Sequence, residues 1–297
     1  MNIRILKDKI AGRTMLVFTL VSVLLAILVA AGLLYRSWPL IEKYSIWDLL
    51  SSSAWKPEAG EFGFLGFIMG TLWVTALAIV IAFPLCLMVS IYLSEYAHPR
   101  LRSFMMPIID LLSGIPPVLF GVWGVLFIVP LIQDHIAPHF VQNSSGYSVL
   151  AGGIVLAIMI FPLLISLFLE VFSSVPRDMS NASLSLGASQ WQTVKYVLLK
   201  KSTAGIIAAV VLAVSRAFGE TIAVLMVCGG NVPGIPHSVF DSAYPLPVLI
   251  ANNFGETFSV PLYDSALLFA ALVLFVIIFV FNAISRIVLA RVKKRME

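Results

Sequence analysis

Six long apolar runs, separated by short polar stretches, set the pattern of this 297-residue chain. They lie near residues 14–34, 64–93, 104–132, 149–171, 203–228 and 265–289. Each can supply the run of about 20 apolar residues that crosses a bilayer. The predicted fold class is therefore an all-α polytopic membrane protein with six transmembrane helices. Basic residues precede the first run, as in a signal peptide. Its apolar stretch is too long for such a peptide's core, so a retained helix is expected.

Three runs carry internal punctuation. The second continues to Ala97, is longer than a bilayer requires and contains Pro84, which predicts a tilt or a kink. In the third, Asp110 is followed by LLSGIPPVLFG. Pro116 and Pro117 remove two backbone donors and disfavour helix at the residues before them. A break at membrane depth is tolerated mainly where it faces protein or water, so Asp110, Ser113, Gly114, Ile115 and Pro116 are candidates for lining a pathway. The alternative is a plain proline kink. In the fifth, Arg216 lies 13 residues past Thr203, about 20 Å along a helix rising 1.5 Å per residue. A buried arginine there needs a partner or a wet cavity. Glu220, four residues on, is expected on the same helical face. The pair reads either as a self-neutralising packing pair or as an anion station, with Arg216 offering forked donors to an oxyanion. Gly219 is expected to let another backbone come close at that level.

The longest polar interruption, residues 176–201, is itself patterned. Pro176 suits a first helical turn. Gly187 suits a left-handed stop after Leu184 and Leu186. Ser189 and Gln192 have the spacing of a capping box, and Trp191, Val194, Val197 and Leu198 follow at helical intervals. The segment predicts a short helix, a glycine turn, and a second helix leading into the membrane. A connector lying on lipid headgroups is the other reading.

Composition agrees with a membrane class: 60% of residues are hydrophobic and 11% charged. The 19 Lys and Arg residues are distributed unevenly. Four precede the first run, two lie between the second and third, four lie in 176–201, and five, Arg286 among them, close the chain. Only Arg36, Lys43 and Lys56 lie in the segments on the opposite side. This bias predicts both termini in the cytoplasm. It also accounts for the net charge of +4 with no nucleic-acid partner. Cys86 and Cys228 have no CxxC or histidine neighbour and read as small core residues, so no metal is expected. Trp38, Tyr44, Trp47 and Trp55 are expected to form an interfacial belt. The chain has no Gly-Lys-Ser or Gly-Lys-Thr phosphate loop, so it is not expected to hydrolyse ATP. A transporter, a passive anion channel and a membrane sensor all remain open at this point.

The 176–201 segment resembles the cytoplasmic coupling loop of ABC-transporter permeases. That signature is Glu-Ala-Ala, three residues, Gly, nine residues, then Ile, any residue, Leu and Pro. Ala182, Gly187, Val197 and Leu199 fall in register, while Asn181, Ser183 and Lys200 depart from it. Further matches are to the permeases of phosphate ABC transporters: Gly70-Thr71, the Tyr92–Ala97 ending YLSEYA, the acid-Leu-Leu-x-Gly-Ile-Pro segment from Asp110 to Pro116, and Arg-Ala-x-Gly-Glu-Thr from Arg216 to Thr221. The continuation from Ala223 to Val227 is similar to the C-type of two non-identical permeases. The resemblance implies a type I ABC importer permease fold. It divides the chain into residues 1–62, a permease core at 63–290 and a basic tail at 291–297. It implies coupling to an ATPase through Asn181, Ala182, Leu184, Gly187, Ala188 and Trp191, and phosphate passage near Arg216 and Glu220. The implied partners are an A-type second permease, two ATP-binding subunits that carry the ATP and Mg, and an extracytoplasmic phosphate-binding protein facing the loop at 229–264. Molybdate, tungstate or sulfate are the alternative cargoes. The implied location is the inner membrane of a bacterium or archaeon.

Overall fold

The computed structural model describes residues 3–230, 234–254 and 261–296. The side chains of residues 3–6, 8 and 293–296 are outside that description. Of the long loop read from the sequence, Asn231 to Pro233 and residues 255–260 also fall outside it. Among the described residues, six helices are long and apolar enough to cross a membrane: Lys9–Lys43, Leu65–Tyr96, Pro117–His139, Val149–Ser173, Gln190–Ala217 and Tyr263–Val292. We call these the first to sixth spans.

The second and fourth spans form the centre. Val74, Ala78, Ala82 and Cys86 interlock there with Ala157, Ile160, Leu164 and Phe168. Small residues make that approach possible. A Cβ on Gly152 would sit 3.3 Å from Val74, and one on Gly153 would sit 2.7 Å from Leu77. Both cysteines are buried core residues, as their apolar settings imply. The second span runs through Pro84 as continuous helix and ends in a π-turn, Tyr92–Tyr96. The first span stands apart over most of its length. It joins the molecule near its end, where Leu40 is buried in a cluster with Phe62, Phe64, Phe67 and Tyr263.

Two spans differ from the pattern read in the sequence. The break expected in the apolar run at 104–132 is present, but the piece before it is not part of a span. Pro99–Ser113 is a separate helix, and the third span begins at Pro117. Arg100, Arg102 and Asp110 make the first piece amphipathic. Met105, Met106 and Ile109 face the fourth-span core while Asp110 is exposed. The fifth span also stops early. It ends at Ala217, turns through Phe218 to Thr221, and a separate helix Ile222–Val227 resumes.

At one end of the bundle lies the 176–201 segment. At the other, a hairpin pairs Trp55–Lys56 with Glu61–Phe62. Of the aromatics expected as a belt, Trp38 and Trp47 are exposed. Trp55 instead packs edge-on against Phe62, Phe64 and Phe67, and Tyr44 against Phe62. At that end too, Leu246–Asn253 folds back as a short helix onto the second span. Thr71 Oγ1 accepts a 2.8 Å hydrogen bond from the Leu246 N–H and donates its own proton to the Phe67 carbonyl.

Candidate functional site

Two places concentrate the residues singled out in the sequence. The first is the break in the fifth span. The N–H groups of Gly219 and Glu220 fold back to the carbonyls of Arg216 and Ala217, closing a turn after the last helical residue. Glu220 therefore reaches Arg216 through this turn and not along a continuous helix, as the four-residue spacing suggested. Arg216 Nε lies 3.8 Å from Glu220 Oε1, with the Arg216 side chain 44% exposed and that of Glu220 15% exposed. At that distance the ion pair leaves most of the guanidinium fork uncommitted. Gly219 does not admit a neighbouring backbone. A Cβ there would meet only the Arg216 carbonyl at 3.5 Å, so this glycine serves the turn.

Glu220 faces a crevice that the sequence did not suggest. Its walls include Thr71 and Thr75 of the second span, Leu156 of the fourth, and Pro245 and Pro247 of the returning helix. The crevice has room for barely one water. The Gly70-Thr71 pair was visible as a motif, but the place of Thr71 opposite Glu220 comes from packing between residues 149 positions apart.

The close approach expected at Gly219 occurs instead where the third span meets Ile222–Val227. A Cβ on Gly121 would sit 3.1 Å from the Ala223 Cα and 2.6 Å from the Met226 sulfur, and one on Gly124 would sit 2.8 Å from Val227. The two helices run parallel across these contacts. Gly114 to Pro116 precedes Gly121 by a turn or two, as Glu220 precedes Ala223. The two helix breaks therefore lie on the same side of the crossing. Ser113, Gly114 and Pro116 are exposed and Ile115 half-buried.

The second place is the 176–201 segment. Pro176 caps the helix Arg177–Ser185 rather than opening it. Gly187 adopts φ +86°, and the Gly187 N–H bonds to the Leu184 carbonyl. The capping box forms: the Gln192 N–H donates to Ser189 Oγ at 3.2 Å, and the Ser189 N–H donates to Gln192 Oε1 at 2.8 Å. Asn181, Ala182, Leu184 and Trp191 are exposed and Ala188 half-buried, with Leu186 the most exposed at 89%. Val194 and Leu198 anchor the next turn in the core, whereas Trp191 faces outward. Val194 and Leu198 are the first and last residues of a π-turn. Gln190, which the sequence reading passed over, donates from Nε2 to the Glu95 carbonyl in the π-turn of the second span. Ser183 Oγ and Thr193 Oγ1 lie 3.0 Å apart and tie the two helices of the segment together. Among the described residues, no three His, Cys, Asp or Glu side chains gather as a metal site.

Residues 87–294 match the family of binding-protein-dependent transport system inner membrane components. The chain is 33% identical to a probable phosphate transport system permease protein PstC of Methanocaldococcus jannaschii, over 88% of this chain and 87% of that protein. It is 34% identical to the phosphate transport system permease protein PstC of Mesorhizobium japonicum, over 90% and 85% respectively. Identity is also 34% to a probable ABC transporter permease protein, YqgH, of Bacillus subtilis, over 96% and 92%. In fold, it is similar to a bacterial ABC transporter involved in import of the acidic polysaccharide alginate. The TM-score is 0.62 at 14% identity, covering 95% of this chain and 98% of that one. The inward-facing MetNI methionine ABC transporter is also similar, with a TM-score of 0.54 at 15% identity, over 75% and 91%. The six-span bundle has the fold of type I ABC importer permeases.

Proposed function

The chain belongs to the inner membrane components of binding-protein-dependent transport systems, and on that premise we propose that it is the C-type permease subunit of an importer for inorganic phosphate. The observation that carries the cargo is the Arg216–Glu220 pair at the break in the fifth span. An arginine at membrane depth is costly unless it faces protein, water or an anion. Here its fork is exposed on the isolated subunit, where a second permease would close the pathway. The guanidinium offers parallel donors to an oxyanion. Phosphate still carries a proton near neutral pH, whereas sulfate and molybdate do not. The Glu220 carboxylate can accept that proton in a hydrogen bond but repels a bare oxyanion, which favours phosphate.

The 176–201 segment supplies the coupling surface. Its exposed Leu184, Leu186 and Trp191 face the solvent as a docking patch for an ATP-binding subunit. Gln190 and the Ser183–Thr193 contact pass its movement to the second and fifth spans. Two such ATP-binding subunits hold ATP and Mg, an A-type permease completes the pathway, and an extracytoplasmic phosphate-binding protein delivers the ion to the opposite end. Both termini then lie in the cytoplasm, in keeping with the positive-inside bias.

The test is ATP-driven uptake by the assembled complex in vesicles, with phosphate, sulfate and molybdate compared. Phosphate uptake that Glu220→Gln lowers more than any residual sulfate uptake supports the reading. Equal uptake of all three ions, or preference for a fully ionised one, overturns it.

A further inference from the structure

The seam between the fifth and sixth spans carries a second arginine that the phosphate reading does not use. Two contacts fix the register. Ser215 Oγ donates to Asn282 Oδ1 at 3.2 Å, and the rings of Phe218 and Phe281 meet edge to face at 5.9 Å. Each helical residue is turned about 100° from the last. Arg216 is therefore displaced from Ser215 on the side away from Phe218. One turn past Asn282, Arg286 is displaced about 40° from it, on the side away from Phe281. The two arginines thus share one flank of the seam. Leu212 and Phe279, each three residues before a member of the Ser215–Asn282 contact, point to that flank as well and are 52% and 65% exposed. The spans are antiparallel, so Arg286 lies about 7 Å nearer the 176–201 end than Arg216.

We propose that Arg286 is a second oxyanion station, reached by the ion after it leaves Arg216. This rests on the phosphate-permease reading for its cargo and direction. The flank that bears Arg216 cannot face hydrocarbon without large cost, so it faces water or protein, and Arg286 shares it. Arg286 lies within the apolar sixth span and is exposed, with no carboxylate against it among the described residues. Arg216 is partly neutralised by Glu220. An anion released there meets a less compensated charge further in, which gives the passage an inward bias. The competing arrangement is an arginine that reaches along the helix to the cytoplasmic headgroups and faces lipid.

The experiment places Leu212→Cys in the assembled complex in vesicles; the native Cys86 and Cys228 are buried and contribute little background. Water-soluble thiol reagents of equal size and opposite charge are applied in each nucleotide state, with phosphate uptake measured in parallel. The expected result is reaction in at least one state, faster with the anionic reagent by about tenfold, as local charge focusing predicts. Arg286→Gln should cut that preference several-fold, Arg286→Lys should retain it, and inorganic phosphate should slow the reaction. No reaction in any state places the flank in lipid or sealed protein and overturns the inference, as does a preference undiminished in Arg286→Gln. If sulfate or molybdate slows the reaction and phosphate does not, the station stands and the phosphate assignment falls.

Discussion

The coupling segment and the break in the fifth span are both helix–turn–helix interruptions built around a glycine, yet they work in opposite ways. In the first, every local device acts within about ten residues: a left-handed Gly187, a reciprocal capping box, a Ser183–Thr193 bridge. Its turn is open, with nothing within 4 Å of a Cβ at Gly187, so conformation alone demands the glycine. In the second, Gly219 has ordinary dihedrals, and the turn is shaped by what surrounds it: Thr71, Thr75, Leu156 and the returning prolines on one side, Phe281 and Asn282 on the other. A surface that must fit a separate moving partner benefits from self-contained geometry. A site that must hold charge at membrane depth can be built only from several helices at once, because no single helix can shield an arginine from lipid.

The largest expected effect separates the two readings of the ion pair. Replacing Arg216 and Glu220 together by Met and Leu should leave no phosphate uptake above background while the complex still assembles. A pair that served only packing would tolerate such a swap, as buried pairs often do. Uptake near the native rate would reduce the site to a structural contact. Arg216→Lys should already lower flux about ten- to hundredfold, since losing the fork forfeits charge-assisted bonds of about 1.5–3 kcal/mol.

Gly187→Pro should likewise stop transport, but by uncoupling. Proline cannot reach a φ of +86°, so the turn must reopen while the spans stay inserted. ATPase activity that no longer responds to the binding protein, in a complex recovered at normal yield, is the expected signature. A fully coupled mutant would mean that the turn's shape is irrelevant to the motor.

Further down the scale, Thr71→Val leaves the buried Leu246 N–H without its acceptor and should cost about 1–3 kcal/mol. Thermal unfolding of the purified complex should show the loss, with Thr71→Ser close to native. Ser189→Ala should cost only about 1 kcal/mol, read as faster amide exchange at Gln192 and its neighbours. If Ser189→Ala proved as damaging as Gly187→Pro, the coupling segment would depend on more than its local caps.

Most of the architecture was legible because a bilayer imposes a one-dimensional code. Apolar length marks spans, and each span satisfies its own backbone within the segment. The same code failed at 104–132 and at 203–228, where an amphipathic helix and a broken one merge into apolar runs of the right length. Hydropathy counts how apolar a window is and is blind to where a helix stops. Pro116 and Pro117 announced the break after Gly114, whereas no proline announced that the fifth span ends at Ala217.

By itself, the sequence determined the six apolar spans, the basic bias, the left-handed turn at Gly187 and the capping box at Ser189, because each follows from composition or from bonds closed within a few residues. Only the tertiary structure decided that Glu220 meets Arg216 through a turn, that Asp110 is exposed, that Thr71 and Thr75 stand opposite Glu220, and that Arg286 shares a flank with Arg216. Those facts depend on how helices far apart in the chain are rotated and slid against one another. That is fixed by the fit of glycines, small residues and single hydrogen bonds across the interfaces, which no local pattern records.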